Sequence, residues 1–270
     1  MLAPLTYTEY RPSPDLVSSV ACIWQITGQY DPSVSHRVLP DGCADLLFDL
    51  EAIRSLGGSP AQLVGPMTSA KEFALRGAVD FIDIRFRPGV VGAFSAIPAH
   101  QVVNTAVPFG EFPPSLRLNL AELAAFSHPS DRVDFVSDLC RFRLSEIDDF
   151  DPTVQFALTR WARVECGNLI KISVLARNLG LSERAFERRF VAQVGLVPVH
   201  YRRLARFRSV LRQYATGTRD WARLAAFCGF SDQAHLVRDF RQFAALTPTA
   251  WAATQAPAAG FLQDGQVTAL

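Results

Sequence analysis

The chain has 270 residues, 49% of them apolar, and a formal net charge of +1. That is enough for two domains with a core each, and too much apolar residue for a disordered chain. No stretch approaches the roughly 18 consecutive apolar residues that a membrane span needs. The near-neutral charge hides a split. Residues 1–151 hold 11 Lys+Arg against 19 Asp+Glu, and residues 152–256 hold 16 against 6. A basic half of this kind is expected to meet a polyanion.

Taken in chain order, the opening MLAPLTYTEYRPSPDL has no apolar run flanked by basic residues, so no signal peptide and a cytoplasmic protein are expected. Residues 5–87 have strand texture. VACIWQI, ADLLFDL, AQLVGP and DFIDIRF are short and β-rich, with turn signals such as YDPS, LPDG and LGGSP between them. Alternation along LPDGCADLLFDL puts Cys43, Asp45, Leu47 and Asp49 on one face, and Leu46, Phe48 and Leu50 on the other. In FIDIRF, Asp83 and Arg85 are the polar side of a half-buried strand. From about residue 88 the texture becomes helical. Val133, Val136, Leu139, Cys140, Leu144 and Ile147 form a stripe that either packs on its own domain or joins two copies. DDFDP at 148–152 reads as a linker. Helices are then expected over 153–165, 171–178, 182–194, 198–213, 220–227, 232–243 and 248–254, followed by a frayed tail.

SERAFERRF (182–190) and DQAHLVRDF (232–240) are two versions of one phrase, 50 positions apart. Each begins with a capping residue, Ser182 or Asp232. Each buries an apolar pair four apart, Phe186 with Phe190 and Leu236 with Phe240. At about 100° per residue, Arg184, Arg188 and Val191 then lie on the far face of the first, with Glu187 on its flank, and Ala234, Arg238 and Arg241 on that of the second, with His235 and Val237 beside them. A turn glycine, Gly180 or Gly229, precedes each, which gives helix, turn, helix twice. Such elements present their second helix to the major groove, where arginine holds guanine by two hydrogen bonds. The alternative for Arg188 and Arg238 is a salt bridge to Glu187 or Asp239. Between the copies, Pro198 starts a long helix whose Arg202 and Arg206 are candidates for phosphate contact or for a solvated face.

The run LARNLGLSERAFERRFVAQVGLVPVHYRRLARFRSVL together with LAAFCGFSDQAHLVRDFRQFAALTP resembles the double helix-turn-helix domain of the AraC/XylS family of transcription regulators. One departure is Ala245, where the family usually has glycine. The resemblance implies that Arg184, Glu187, Arg188, Ala234, His235 and Arg238 read bases on double-stranded DNA, across two adjacent major-groove segments. It also implies an N-terminal domain that senses a small molecule or dimerises, and RNA polymerase as a partner if the regulator activates. RVLPDGCADLLFDL, VGPMT and FIDIRFRPGVVGAF resemble a β-rich, cupin-like N-terminal type found on some of these regulators.

The expected architecture is therefore a two-domain α+β chain. An antiparallel β sandwich or barrel with a helical extension precedes an all-α domain of two helix-turn-helix subdomains joined by a long linker helix. Expected boundaries are 1–115 for the sensor, 116–151 for the extension, 152–256 for the DNA reader and 257–270 for the tail. Candidate effector contacts are Trp24, His36, Arg37, Cys43 and Asp45, each with a purely structural alternative. No catalytic residue, metal or cofactor is expected. His36, His100 and His128 are far apart, the five cysteines form no C-x-x-C pair, and there is no phosphate loop or G-x-S-x-G elbow. A non-specific architectural DNA binder, or less plausibly a cupin-type enzyme fused to a reader, is the rival reading.

Overall fold

The computed structural model describes residues 5–30, 36–55, 60–73, 77–95, 97–108, 119–147, 150–162 and 170–254. Its N-terminal part is an antiparallel sheet built from β1 (Thr6–Tyr10), β2 (Val20–Tyr30), β4 (Ala44–Asp49), β5 (Ala61–Val64), β7 (Gly77–Phe86) and β8 (Ala106–Pro108). The order across it is β1-β2-β7-β4-β5-β8. A second, two-stranded sheet pairs β3 (His36–Val38) with β6 (Lys71–Phe73). The antiparallel, β-rich domain is as expected. Its sheet is open, and the described residues form no closed barrel.

Period-two patterning gives the main sheet two different faces. Ile23, Leu46, Phe48, Ile82, Ile84 and Phe86, all fully buried, form the inner face. They pack beneath α2 (Val91–Ser95), α3 (Leu120–Ala125) and α4 (Pro129–Ser145), with the Phe86 and Phe94 rings 4.5 Å apart. Val136, Leu139 and Cys140 of α4 are part of this core. The helical stripe of the sequence is therefore buried in its own domain, the first of the two alternatives. Asp80 of β7 ties this layer together, accepting from Arg132 of α4 at 2.9 Å and from Arg54 of α1 (Leu50–Ser55) at 2.7 Å.

The opposite face carries three rungs of paired residues. Glu9, Trp24, Asp83, Leu47 and Gln62 line up across the strands. Cys22, Arg85, Asp45 and Val64 form the rung on one side, and Tyr7, Ile26, Phe81 and Asp49 the rung on the other. Val38 of β3 and Phe73 of β6 close over this face.

The C-terminal part is entirely helical among the described residues: α5 (Pro152–Ala162), α6 (Ile172–Asn178), α7 (Glu183–Val194), α8 (Pro198–Ala215), α9 (Trp221–Phe227), α10 (Gln233–Ala244) and α11 (Pro248–Thr254). The predicted spans agree to within two residues at each end, except that the end of the first, 163–165, lies outside the described residues. Pro198 pre-sets the first turn of α8, and Gly195 ends α7 in the left-handed region at φ +84°. Trp161, Phe186, Phe190 and Tyr201 pack around the first helix-turn-helix unit, and Phe207, Phe240, Phe243 and Trp251 around the second. Tyr201 and Phe207 both belong to α8, so one helix supplies a wall to each unit. At 18 residues it is about 27 Å long.

The two parts are in contact. A Cβ on Gly195 would stand 2.5 Å from the carbonyl oxygen of Ala99, so the end of α7 is seated against the N-terminal domain. Arg208 of α8 donates to the Asp41 carbonyl at 2.9 Å. Arg37 Nη1 donates to the Ala244 carbonyl and the Ala70 N–H to the Phe243 carbonyl, at the end of α10.

Candidate functional site

Helices α7 and α10 are built alike. Ser182 Oγ accepts from the Ala185 N–H at 3.2 Å, and Asp232 Oδ1 from the His235 N–H at 2.6 Å, each satisfying an orphan donor of the first turn. The His235 N–H bond is also the main cause holding the Asp232 carboxyl below the ordinary carboxylate range. With Phe186 and Phe190, or Leu236 and Phe240, inside, the opposite faces point to solvent. Arg184, Glu187 and Arg188 are exposed on α7, and Ala234, Arg238 and Arg241 on α10. Among the described residues none of Arg184, Arg188, Arg238 and Arg241 is in an ion pair. Asp239, the alternative partner for Arg238, faces the other way, 1% exposed.

Asp239 instead anchors a hub between α8 and α10. Its oxygens accept from Arg203 at 2.7 Å and from Arg206 at 3.1 Å. The Arg206 guanidinium lies 4.2 Å from the centre of the Phe230 ring and donates to the Gly229 carbonyl. The same guanidinium is 2.9 Å from His235 Nε2. Arginine only donates, so Nε2 accepts and the ring proton sits on Nδ1, which faces Ser231 Oγ at 3.2 Å. Burial, with Arg206 acting in the same direction, lowers the His235 pKa and favours this neutral form. Sequence reading placed Arg206 among the phosphate contacts. The structure leaves 10% of its side chain exposed and uses it to fix α10 on α8. Arg202 is half-buried on the same helix. Arg203, which sequence reading did not single out, carries half of the hub; its only sequence signal was the acid at the matching position on α10.

The N-terminal candidates fall into three places. Trp24 and Asp45 line the cavity on the rung face of the main sheet. Cys43 lines a neighbouring cleft that reaches Arg208 of α8. Arg37 lies at the edge of the small sheet, bonded to Glu72 and to the Ala244 carbonyl. His36 begins β3, and its side chain lies outside the described residues. Asp45 accepts from Arg85 Nε at 2.8 Å, and Asp41 forms a looser ion pair with Arg85 Nη1 at 3.6 Å. Burial works against the Asp41 carboxylate, but Arg85 and Arg208 outweigh it and hold its pKa low. Sequence reading gave Asp83 no role beyond a polar strand face. It is fully buried at the centre of the middle rung. No group of three or more His, Cys, Asp or Glu among the described residues fits a metal ion. No helix among them is long and apolar enough to cross a membrane.

Comparison with known proteins separates the chain along the same lines. Residues 175–254 match the family model "Helix-turn-helix domain", and residues 8–108 match "Domain of unknown function (DUF6597)". No curated protein matches. Among solved structures, a transcriptional regulator with an AraC-type DNA-binding domain from Chromobacterium violaceum aligns at 22% identity and TM-score 0.36, over 40% of this chain and 95% of that one. ToxT from Vibrio cholerae aligns at 12% identity and TM-score 0.44, over 94% of this chain and 98% of that one. The C-terminal domain of AraT from Geobacillus stearothermophilus aligns at 14% identity and TM-score 0.37, over 45% and 95%.

Proposed function

We propose that this chain, a DNA-binding transcription regulator of the AraC/XylS family with a separate N-terminal domain, reads two adjacent major-groove segments of one duplex and answers to a small-molecule effector. In this reading residues 1–115 sense the effector, 116–151 extend that domain, 152–256 read DNA and 257–270 are a tail. Arg184, Glu187, Arg188, Ala234 and Arg238 face bases, Arg241 and Arg202 face phosphates, and His235 supports the edge of α10.

One observation carries it: two equally capped helices, mounted on one rigid α8, each present arginines free of ion pairs with any described residue. Arginine in that state is available for bidentate contact with guanine or phosphate. A single helix makes few base contacts. Joining two in one chain makes the second contact intramolecular and raises its effective concentration. Dimerisation, action on RNA polymerase, a cytoplasmic location and the absence of catalysis belong to the same reading.

The test is affinity for a selected operator with each half scrambled in turn. A paired reader loses about 1–3 kcal/mol for each mismatched base pair in either half. An architectural binder holds all versions equally, with a steep salt slope.

A further inference from the structure

The rung face of the N-terminal sheet encloses a cavity of about 260 Å³, at the small end of ligand sites. Its walls are apolar and aromatic: Trp24, Ile26, Leu47, Phe81 and Met67, with Phe73 on the lid. Three carboxyl groups line it, and two have tasks. Asp45 accepts from Arg85 at 2.8 Å, and Asp49 Oδ1 caps α1 by accepting from the Ala52 N–H at 2.9 Å. Among the described residues Asp83 is held by no cation and by no N–H: it is 0% exposed, neither of its oxygens accepts from any described N–H, and the partner it does have is the Asp45 carboxyl, to which it donates its own proton. Trp24, its neighbour across β2, likewise leaves Nε1 without an acceptor.

A carboxyl held by no cation or N–H beneath an apolar cavity is an expensive residue, since a buried polar group costs free energy unless its hydrogen-bonding capacity is met. A donor brought in by a ligand removes that cost. A carboxylate ligand is opposed here, because it would face Asp49 and the negative charge that Asp83 and Asp45 share, with Arg85 already held by Asp41 and Asp45. A cation is favoured by the acids and by the Trp24 and Phe81 rings.

We infer that the sheet-face cavity is the effector site and that it binds a small protonated amine on an apolar or aromatic body, the nitrogen donating to Asp83 and Asp45. The inference rests on the reading of this domain as a sensor. It also supplies a route to the DNA reader. The β3–β6 sheet that lids the cavity through Val38 and Phe73 is bonded, through Arg37 and Ala70, to the end of α10. A ligand that lifts or seats the lid therefore acts on the second reading helix.

The experiment is calorimetric titration of the full-length protein with phenylbutylamine, phenylbutanol and phenylbutyrate, three heads on one body. The amine is expected to bind about tenfold or more tighter than the alcohol, and the acid to give no binding heat. Asp83→Asn, which keeps size and shape, is expected to bring the amine down to the level of the alcohol while the variant still unfolds cooperatively. Phenylbutyrate binding best would overturn the amine class while leaving a sensor in place. An unchanged amine affinity in Asp83→Asn, or no binding by any of the three at millimolar concentration, overturns the site. No DNA is present, so failure of the DNA-reading proposal is measured separately.

Discussion

Arg37 Nη1 donates to the carbonyl oxygen of Ala244 at 2.9 Å, across 207 positions of sequence. Ala244 ends α10, where carbonyls lack helical partners and a cation is favoured by the helix dipole. The neighbouring Ala70 N–H takes the Phe243 carbonyl at 2.8 Å. An edge of the N-terminal domain thus caps α10. Arg37→Ala is expected to remove about 1 kcal/mol from this contact, discounted for its partial exposure. Native-state hydrogen exchange is the check: amides in the last turn of α10 and in the turn after it should exchange about fivefold faster, while those of α7 stay unchanged.

Arg188 and Arg238 stand at matching positions of the two readers. Replacing either with alanine is expected to cost about 1–3 kcal/mol on the operator and little on random duplex. Equal losses on both DNAs would make them phosphate contacts. Fluorescence anisotropy at fixed salt distinguishes the two.

Asp239 holds Arg203 and Arg206 while almost fully buried. Asp239→Ala strands Arg206 beneath α10 and is expected to lower stability by about 3 kcal/mol. Urea unfolding measures this. A loss below about 1 kcal/mol would mean that the stacking of Arg206 on Phe230, and not its charge, fixes α10.

Ala245 sits at φ +56°, in the left-handed region where a side chain is strained. Ala245→Gly relieves that strain and loosens the unfolded chain slightly. The balance is expected to raise stability by about 0.5–1 kcal/mol. A thermal unfolding midpoint at or below the parent value would count against it.

Burial, helped by the Asp45 charge, pushes the Asp83 carboxyl well above the ordinary carboxylate range. Its folded pKa therefore exceeds its unfolded one. The contribution to stability is complete below the ordinary carboxylate value and is lost as pH rises through the folded pKa. Asp83→Asn has no such titration. The stability gap between variant and parent is expected to widen in favour of the variant as pH rises from 4 to 8; a constant gap would show Asp83 already charged at pH 4.

The two helix-turn-helix units were legible because their signals are local. Caps at Ser182 and Asp232, apolar pairs four apart and turn glycines all act within a dozen residues, so α6 to α11 could be placed before any contact was known. The alternation of β4 was legible for the same reason. What was not legible depends on distant segments. Asp83 reads as the polar side of a half-exposed strand until β3 and β6 cover that face. Arg206 reads as a surface arginine of α8 until Asp239, 33 positions later, meets it. The seat of Gly195 on Ala99 and the bond from Arg37 to Ala244 join two domains, and no periodicity within either reports them.

The central claim is that one polypeptide reads two adjacent segments of DNA. Selection of bound sequences from a random duplex library, with the full-length protein at physiological salt, tests it most directly. The account predicts two short motifs about one helical turn, roughly 34 Å, apart, with Arg188→Ala blurring one and Arg238→Ala the other. Recovery of no motif, or of a single motif lost equally in both variants, would contradict it.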